Sequence, residues 1–124
     1  MKKFLIIISL FFTFSNGATL KTLENDNIKK PILVIISQDY CKYCEKQKHE
    51  IKKDKELFNL IVNNFQFIEL NRSRVFIPKK LYSRGSPAIF FLNENGKIIW
   101  KNIGYMKADM FKYQIKKVLS RMRR

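Results

Sequence analysis

The sequence predicts an α/β domain in which a central mixed β-sheet is flanked by helices on both faces. Three observations lead there. Pro31 opens the run Ile32-Leu33-Val34-Ile35-Ile36, which is continuously apolar and mostly β-branched. Such a run reads as a strand buried on both sides, hence central in a sheet covered by helices. Asn93-Glu94-Asn95-Gly96 separates the apolar residues 88–92 from residues 97–100, the pattern of an antiparallel hairpin. Elsewhere apolar residues recur at helical spacing: Cys44 and Ile51 lie one heptad apart, and Phe111, Ile115, Val118, Leu119 and Met122 form a stripe with lysines between them.

Taken in order, the chain opens with Met1-Lys2-Lys3, then an 11-residue apolar run over residues 4–14 broken only by Ser9 and Thr13. Ser15-Asn16-Gly17 follows, with small residues where a signal peptidase reads, so residues 1–17 are expected to be a secretory signal peptide cleaved after Gly17. The alternative is a retained anchor, although the run is short of the roughly 20 residues a spanning helix needs. No cysteine stands at the cleavage point, which argues against lipid modification. Residues 18–30 are polar and read as an N-terminal arm, and residues 31–124 as the folded domain. After the first strand comes a polar turn carrying Asp39, then a Lys- and Glu-rich helix over residues 41–53. Asp54 is placed to cap a second helix whose buried side is expected to be Leu57, Phe58, Leu60, Ile61 and Val62. A strand over residues 65–70 follows. Pro78 then fits the first turn of a short helix running through Tyr82 and ending near Gly85. The hairpin comes next, Gly104 breaks the chain, and the last helix closes it. The expected order is β-α-α-β-α-β-β-α.

Removing residues 1–17 of 124 leaves 107, enough for one two-layer core and no second domain. The formal charge falls only from +15 to +13, since Lys2 and Lys3 are the charges removed. That balance raises nucleic acid as a partner, but the lysines are spread along the whole chain and export separates the protein from most nucleic acid. No nucleic-acid partner is therefore expected. A basic surface attracted to acidic partners or to an anionic membrane face is compatible with the charge. Lys46, Lys48, Lys52, Lys53 and Lys55 read as a solvated helix face, with a docking patch for an acidic partner as the alternative.

The chain has two cysteines, Cys41 and Cys44. A bridge closing so short a loop stabilises a fold by only about 2 kcal/mol, against nearly 5 for a 100-residue loop. Chemistry explains the pair better than stability does. The pair follows a buried strand and opens a helix, where unpaired N–H groups and the helix dipole stabilise a thiolate, the reactive form. Lys42, and Lys46 one turn on, add positive charge, and Glu45 opposes them. Cys41 is expected to attack and Cys44, on the apolar edge, to resolve, the division disulfide exchange requires. A zinc site needs about four ligands, and beyond the cysteines the chain offers one histidine, His49, which reads as solvated; no metal or cofactor is expected. Trp100 and the phenylalanines read as core. Tyr40 and Tyr43 flank the cysteines and are candidates to line a groove for a substrate peptide.

These residues make the chain similar to the thioredoxin superfamily, over roughly residues 31–119. The likeness rests on a strand followed by Tyr40-Cys41-Lys42-Tyr43-Cys44, on Ser86-Pro87 before a strand, and on the Asn95-Gly96 hairpin with Gly104 downstream. It implies a thioredoxin-like fold in which Pro87 is cis and packs on the cysteine pair, while Ser86 offers backbone groups to a substrate strand. There are departures. Tyr40 stands where a Trp is frequent. Ile35 stands where many thioredoxins keep a buried aspartate that moves protons at the second cysteine; Glu45 or solvent would have to substitute. The Lys-rich helix followed by Asp54-Lys55-Glu56-Leu57 resembles the exported members more than the cytosolic ones.

The resulting expectation is a monomeric, exported thiol–disulfide oxidoreductase, periplasmic or secreted, or membrane-anchored if the signal is retained. The site is Cys41 and Cys44 with Tyr40, Lys42, Tyr43, Ser86 and Pro87 binding substrate. The family resemblance implies reduction of disulfides in exported proteins, with apocytochromes as candidate substrates and a membrane thiol protein as the donor that re-reduces the pair; the oxidising direction stays open, because cations near Cys41 stabilise the reduced form and so make the pair a better oxidant. The alternative is a non-catalytic thioredoxin-fold module that holds a partner on its basic surface.

Overall fold

The computed structural model describes residues 30–123; the signal segment and almost all of the N-terminal arm lie outside the described residues. Strand β1 (Ile32–Ser37) leads into helices α1 (Lys42–Lys53) and α2 (Lys55–Asn64) and then strand β2 (Gln66–Asn71). A 3-10 turn (Lys79–Leu81) precedes β3 (Ala88–Leu92), β4 (Ile98–Ile103) and α3 (Ala108–Met122). The sheet order is β2-β1-β3-β4. β1 and β2 are parallel, so the chain between them must cross over the sheet, and α1–α2 is that crossover. β1–β3 and β3–β4 are antiparallel. In the hairpin Phe91 faces Trp100 but Leu92 faces Ile98, so Ile99 is an extra residue in a bulge.

β1 is central, and all its residues after Ile32 are buried. Its side chains alternate between two cores. Leu33 and Ile35, with Ile89 and Phe91 of β3, meet Ile51 of α1, Leu57 and Ile61 of α2, and Phe111, Ile115 and Val118 of α3. Phe91 is the aromatic centre of that layer, with ring centroids 5.4 Å from Phe65, 5.7 Å from Trp100 and 6.3 Å from Phe111. Val34, Ile36, Ala88, Phe90 and Leu92 point to the opposite face.

The thioredoxin-like architecture is therefore present, with two local corrections. All three α-helices among the described residues pack on one face; the expected helix from Pro78 to Tyr82 is a single 3-10 turn, and its Leu81 covers the second core. Pro78 stays extended (φ −56°, ψ 145°), so the segment holds one short turn before the next extended residue, Tyr82. On α2 the buried side is Leu57 and Ile61 with half-buried Leu60, whereas Phe58 and Val62 face solvent. At 100° per residue they fall off the stripe that Leu57 and Ile61 define.

Asp54 joins the two crossover helices. Its N–H donates to the Glu50 carbonyl as α1 ends, and its carboxylate accepts from the Leu57 N–H at 3.0 Å to cap α2. Lys112 of α3 lies 3.0 Å from the same carboxylate.

Candidate functional site

Parallel β1 and β2 and antiparallel β3 bring three loops to one end of the sheet. Ser37 ends β1, Asn71 ends β2 opposite it, and Ala88 begins β3 opposite Ile36. The loops are bonded to one another. Ser86 Oγ donates to Gln38 Oε1 at 3.2 Å. The Asp39 N–H donates to Ser73 Oγ at 3.0 Å, and Asp39 Oδ1 accepts from Asn71 Nδ2 at 3.0 Å and from Arg74 Nε at 3.2 Å. Arg72 Nη1 donates to the Ser83 carbonyl at 3.0 Å and lies 3.5 Å from Ser86 Oγ. The segment before the cysteines is thus clamped to the two loops beside it.

Cys41 is the N-cap of α1. Its backbone is extended, and its sulfur accepts from the Cys44 N–H at 3.1 Å. That N–H is one of the donors a helix leaves unpaired at its first turn, so the helix end solvates the sulfur directly. Cys41 and Cys44 are joined as a disulfide, with their Cα atoms 5.2 Å apart. Cys41 is half-exposed and lines an open cavity of about 650 Å³ together with Asp39, Tyr40, Lys42, Lys48 and Arg74. Cys44 is 1 % exposed. Any molecule that reaches the bridge from solvent meets Cys41 first.

Tyr40 is fully exposed and sits in the left-handed region at φ 58°. Such a conformation costs a non-glycine residue about 1–3 kcal/mol and persists only where the surroundings fix it; here the Asp39 bonds fix the turn. Lys42 and Tyr43 are exposed on the first turn of α1, and the Tyr43 ring lies 6.4 Å from that of Tyr105. Pro87 is buried, the Ser86–Pro87 bond is cis, and the Pro87 carbonyl accepts from the Gly104 N–H at 2.7 Å. Lys46 lies over the Tyr105 ring at 4.7 Å. Glu45 is exposed and paired with Lys48, which also bonds Glu69 of β2; these two carboxylates, Glu69 first, raise the Lys48 pKa. Ile35 is buried as expected, and the buried polar side chains among the described residues are Ser37, Gln47, Ser83 and Gln114, none of them a carboxyl.

Sequence reasoning missed a latch on the other side of α1. Gln47, fully buried, accepts from the Met106 N–H at 2.8 Å and donates to the Met106 carbonyl at 2.9 Å. One turn further, Glu50 accepts from the Tyr105 hydroxyl at 2.9 Å and from the Ala108 N–H at 3.2 Å. The cysteine helix is so bolted to the 104–108 loop. A signal was present: Gln47 interrupts the buried edge formed by Cys44 and Ile51, and a polar residue there must find partners inside.

The Tyr105 hydroxyl, followed by the Ala108 N–H, lowers the Glu50 pKa; the Leu57 N–H, followed by Lys112, lowers that of Asp54. Both groups hold fewer protons folded than unfolded at acid pH. Their contribution is complete above the ordinary carboxylate range near about 4 and is lost as pH falls through their depressed values. Thermal unfolding followed from pH 7 to pH 2 should show stability falling below about pH 4.5, with a shallower fall in Glu50→Gln and Asp54→Asn.

A family model for the thioredoxin-like domain matches residues 18–119. The chain belongs to the thioredoxin-like domain family. No curated protein matches it. Among solved structures, this thioredoxin-like chain is similar to the C-terminal domain of DsbD from Neisseria meningitidis in its reduced form, at 19% identity and TM-score 0.64, over 85% of this chain and 95% of that one. It is similar to a disulphide isomerase from Xylella fastidiosa Temecula1 at 16% identity and TM-score 0.60, over 87% and 90%. A third likeness is to the periplasmic thioredoxin SoxS from Paracoccus pantotrophus, at 18% identity and TM-score 0.58, over 73% and 97%. At these identities the likeness establishes the shared fold.

Proposed function

We propose that this thioredoxin-like protein is a thiol–disulfide oxidoreductase in which Cys41 attacks and Cys44 resolves. The observation that carries the reading is the asymmetry of the bridge: Cys41 half-exposed on a helix N-cap, bonded to a Cys44 that is 1 % exposed. In the reduced protein the first-turn N–H groups and Lys42 favour a Cys41 thiolate. That thiolate attacks one sulfur of a substrate disulfide; the substrate S–S bond breaks, a mixed disulfide forms, and the second substrate sulfur leaves as a thiolate. Cys44, after losing its proton to solvent, attacks Cys41, so that the remaining substrate sulfur leaves and Cys41–Cys44 closes. Two electrons pass to the substrate, whose two sulfurs take up protons from solvent in place of those the cysteines released there, and an external dithiol returns the electrons.

Tyr40, Lys42 and Tyr43 form the exposed rim over which the substrate lies, with Ser86 and Pro87 on the facing loop. The direction is reductive, with substrates among exported proteins and a membrane thiol protein as donor. The cationic start and apolar run of residues 1–17 support export, as does a family match that begins at residue 18. No helix among the described residues is long and apolar enough to cross a membrane.

The test is a redox titration of the full chain in thiol buffers, paired with alkylation of the cysteines in intact cells. A pair more reducing than about −200 mV and mostly reduced in the cell agrees with a reductase. A mostly oxidised pair reverses the direction, and a pair that never exchanges with the buffer leaves a binding module.

A further inference from the structure

Between β2 and β3 the chain carries Arg72, Arg74, Lys79, Lys80 and Arg84, and no acidic residue occurs between Glu69 and Glu94. Elsewhere carboxylates lie close enough to pair with some of the lysines: Lys48 holds Glu45 and Glu69, and Lys112 holds Asp54, Glu56 and Asp109. In this segment only Arg74 is paired with a carboxylate among the described residues, that of Asp39. Arg72 and Lys80 donate to backbone carbonyls, of Ser83 and Gly96, and keep their charge uncompensated.

The same segment exposes apolar side chains. Phe76 is 89% exposed, Tyr82 65% and Val75 47%. With Arg72, Leu81 and the buried Ile36 they enclose a groove of about 270 Å³ on the sheet face that no described α-helix covers. Arg72 and Val75 wall this groove, and Arg74 between them lines the cavity that holds Cys41. A chain seated in the groove and passing Arg74 arrives at the exposed sulfur.

We propose that residues 72–84 dock an acidic segment of the disulfide-bearing partner, anchored by one apolar side chain in the groove beside Phe76. The inference rests on the oxidoreductase reading and adds the substrate class: disulfides flanked by Asp or Glu. Three features select this occupant. Arg72 lines the groove, and Lys79, Lys80 and Arg84 add positive charge to the same segment with no acid in it, which favours encounter with an anionic partner. The groove is concave with Ile36 beneath it, which fits a side chain rather than a flat bilayer surface. A second copy of a chain with formal charge +15 would bring like charges together.

The experiment uses the reduced full chain with dithiothreitol as the dithiol donor. The substrates are neutral hydroxyethyl disulfide and three peptide disulfides of equal length, each with one Phe, whose flanking residues are Glu, Gln or Lys. The Glu peptide should be reduced at least about 10-fold faster than the Gln peptide at low salt, with the Lys peptide slowest and the spread shrinking as ionic strength rises. The Glu-to-Gln rate ratio should fall towards one in Lys79→Gln/Lys80→Gln/Arg84→Gln and persist in Lys52→Gln/Lys53→Gln/Lys55→Gln, which removes the same charge from α1 and α2. Equal rates for the three peptides with active reduction of hydroxyethyl disulfide overturn the docking site alone, as does loss of the preference in the helix variant only. Failure to reduce hydroxyethyl disulfide overturns the oxidoreductase reading beneath it. Sedimentation with phosphatidylglycerol vesicles that Phe76→Ser abolishes, together with equal peptide rates, would assign the segment to lipid instead.

Discussion

Cys44→Ser should accumulate mixed disulfides through Cys41 that run as larger species on non-reducing gels and disappear with dithiothreitol, and its multiple-turnover rate should fall more than about a thousandfold. The magnitude follows from what is removed. In the wild-type chain the resolving sulfur is held one helical turn from Cys41, with Cα atoms 5.2 Å apart, and intramolecular attack of this kind has effective molarities far above any thiol in solution. Without it the mixed disulfide waits for an external thiol. Cys41→Ser should be inactive in a different way: no covalent complex forms, because the remaining thiol, Cys44, is 1 % exposed and reaches no substrate. The difference between the variants is the informative part. If both trap partners equally, the two sulfurs are equally accessible and the assignment of attacking and resolving roles is wrong. If neither does and turnover is unchanged, the cysteines are not the site.

The sequence carried most of this site because its decisive features are local. A buried strand, a short turn and a Cys-x-x-Cys opening a helix place the sulfurs within one turn of each other whatever the rest of the chain does, and the Cys41 N-cap and buried Cys44 agree with that. Asp54 as a cap, the turn at Gly96 and the break at Gly104 are legible for the same reason, and both glycines adopt positive φ. What was not legible is long-range. Arg72 meets Ser83 and Ser86, and Gln38 meets Ser86, only because β1, β2 and β3 end side by side. The extent of the 72–84 segment outside regular structure also escaped local reading, since Pro78-Lys79-Lys80-Leu81 carries helix-start chemistry but the extended backbone at Pro78 and Tyr82 confines it to one turn. Phe58 and Val62, expected on the buried side of α2, are apolar like its core residues, but packing turns that helix so that they face solvent.

Gln47 belongs with the long-range contacts, and it predicts the largest loss of stability. In Gln47→Leu the volume is kept, but the Met106 N–H and carbonyl lose the side chain that satisfies both of them in a buried place. Leaving two such groups unsatisfied costs roughly 2–6 kcal/mol, a large part of the roughly 5–15 kcal/mol that typically holds a domain together, and should lower the unfolding temperature by about 10 °C or more. Gln47→Glu separates lost bonds from lost shape through pH. Protonated, a glutamic acid can still accept from the Met106 N–H and donate to the Met106 carbonyl. Ionised, it is a buried carboxylate facing a carbonyl oxygen, so its folded-state pKa must rise above the unfolded value of about 4.3. The penalty is then absent below that value, grows as pH rises through the window between unfolded and folded pKa, and levels off above it. This is opposite in direction to the acid loss expected from Glu50 and Asp54, so the two effects are distinguishable in one set of melting curves. A Gln47→Glu variant whose deficit relative to wild type is the same at pH 4 and pH 8 would show that the amide is not bound to Met106 as described. A deficit that opens with pH would place the latch, and with it the hold of the cysteine helix on the 104–108 loop, on those two hydrogen bonds.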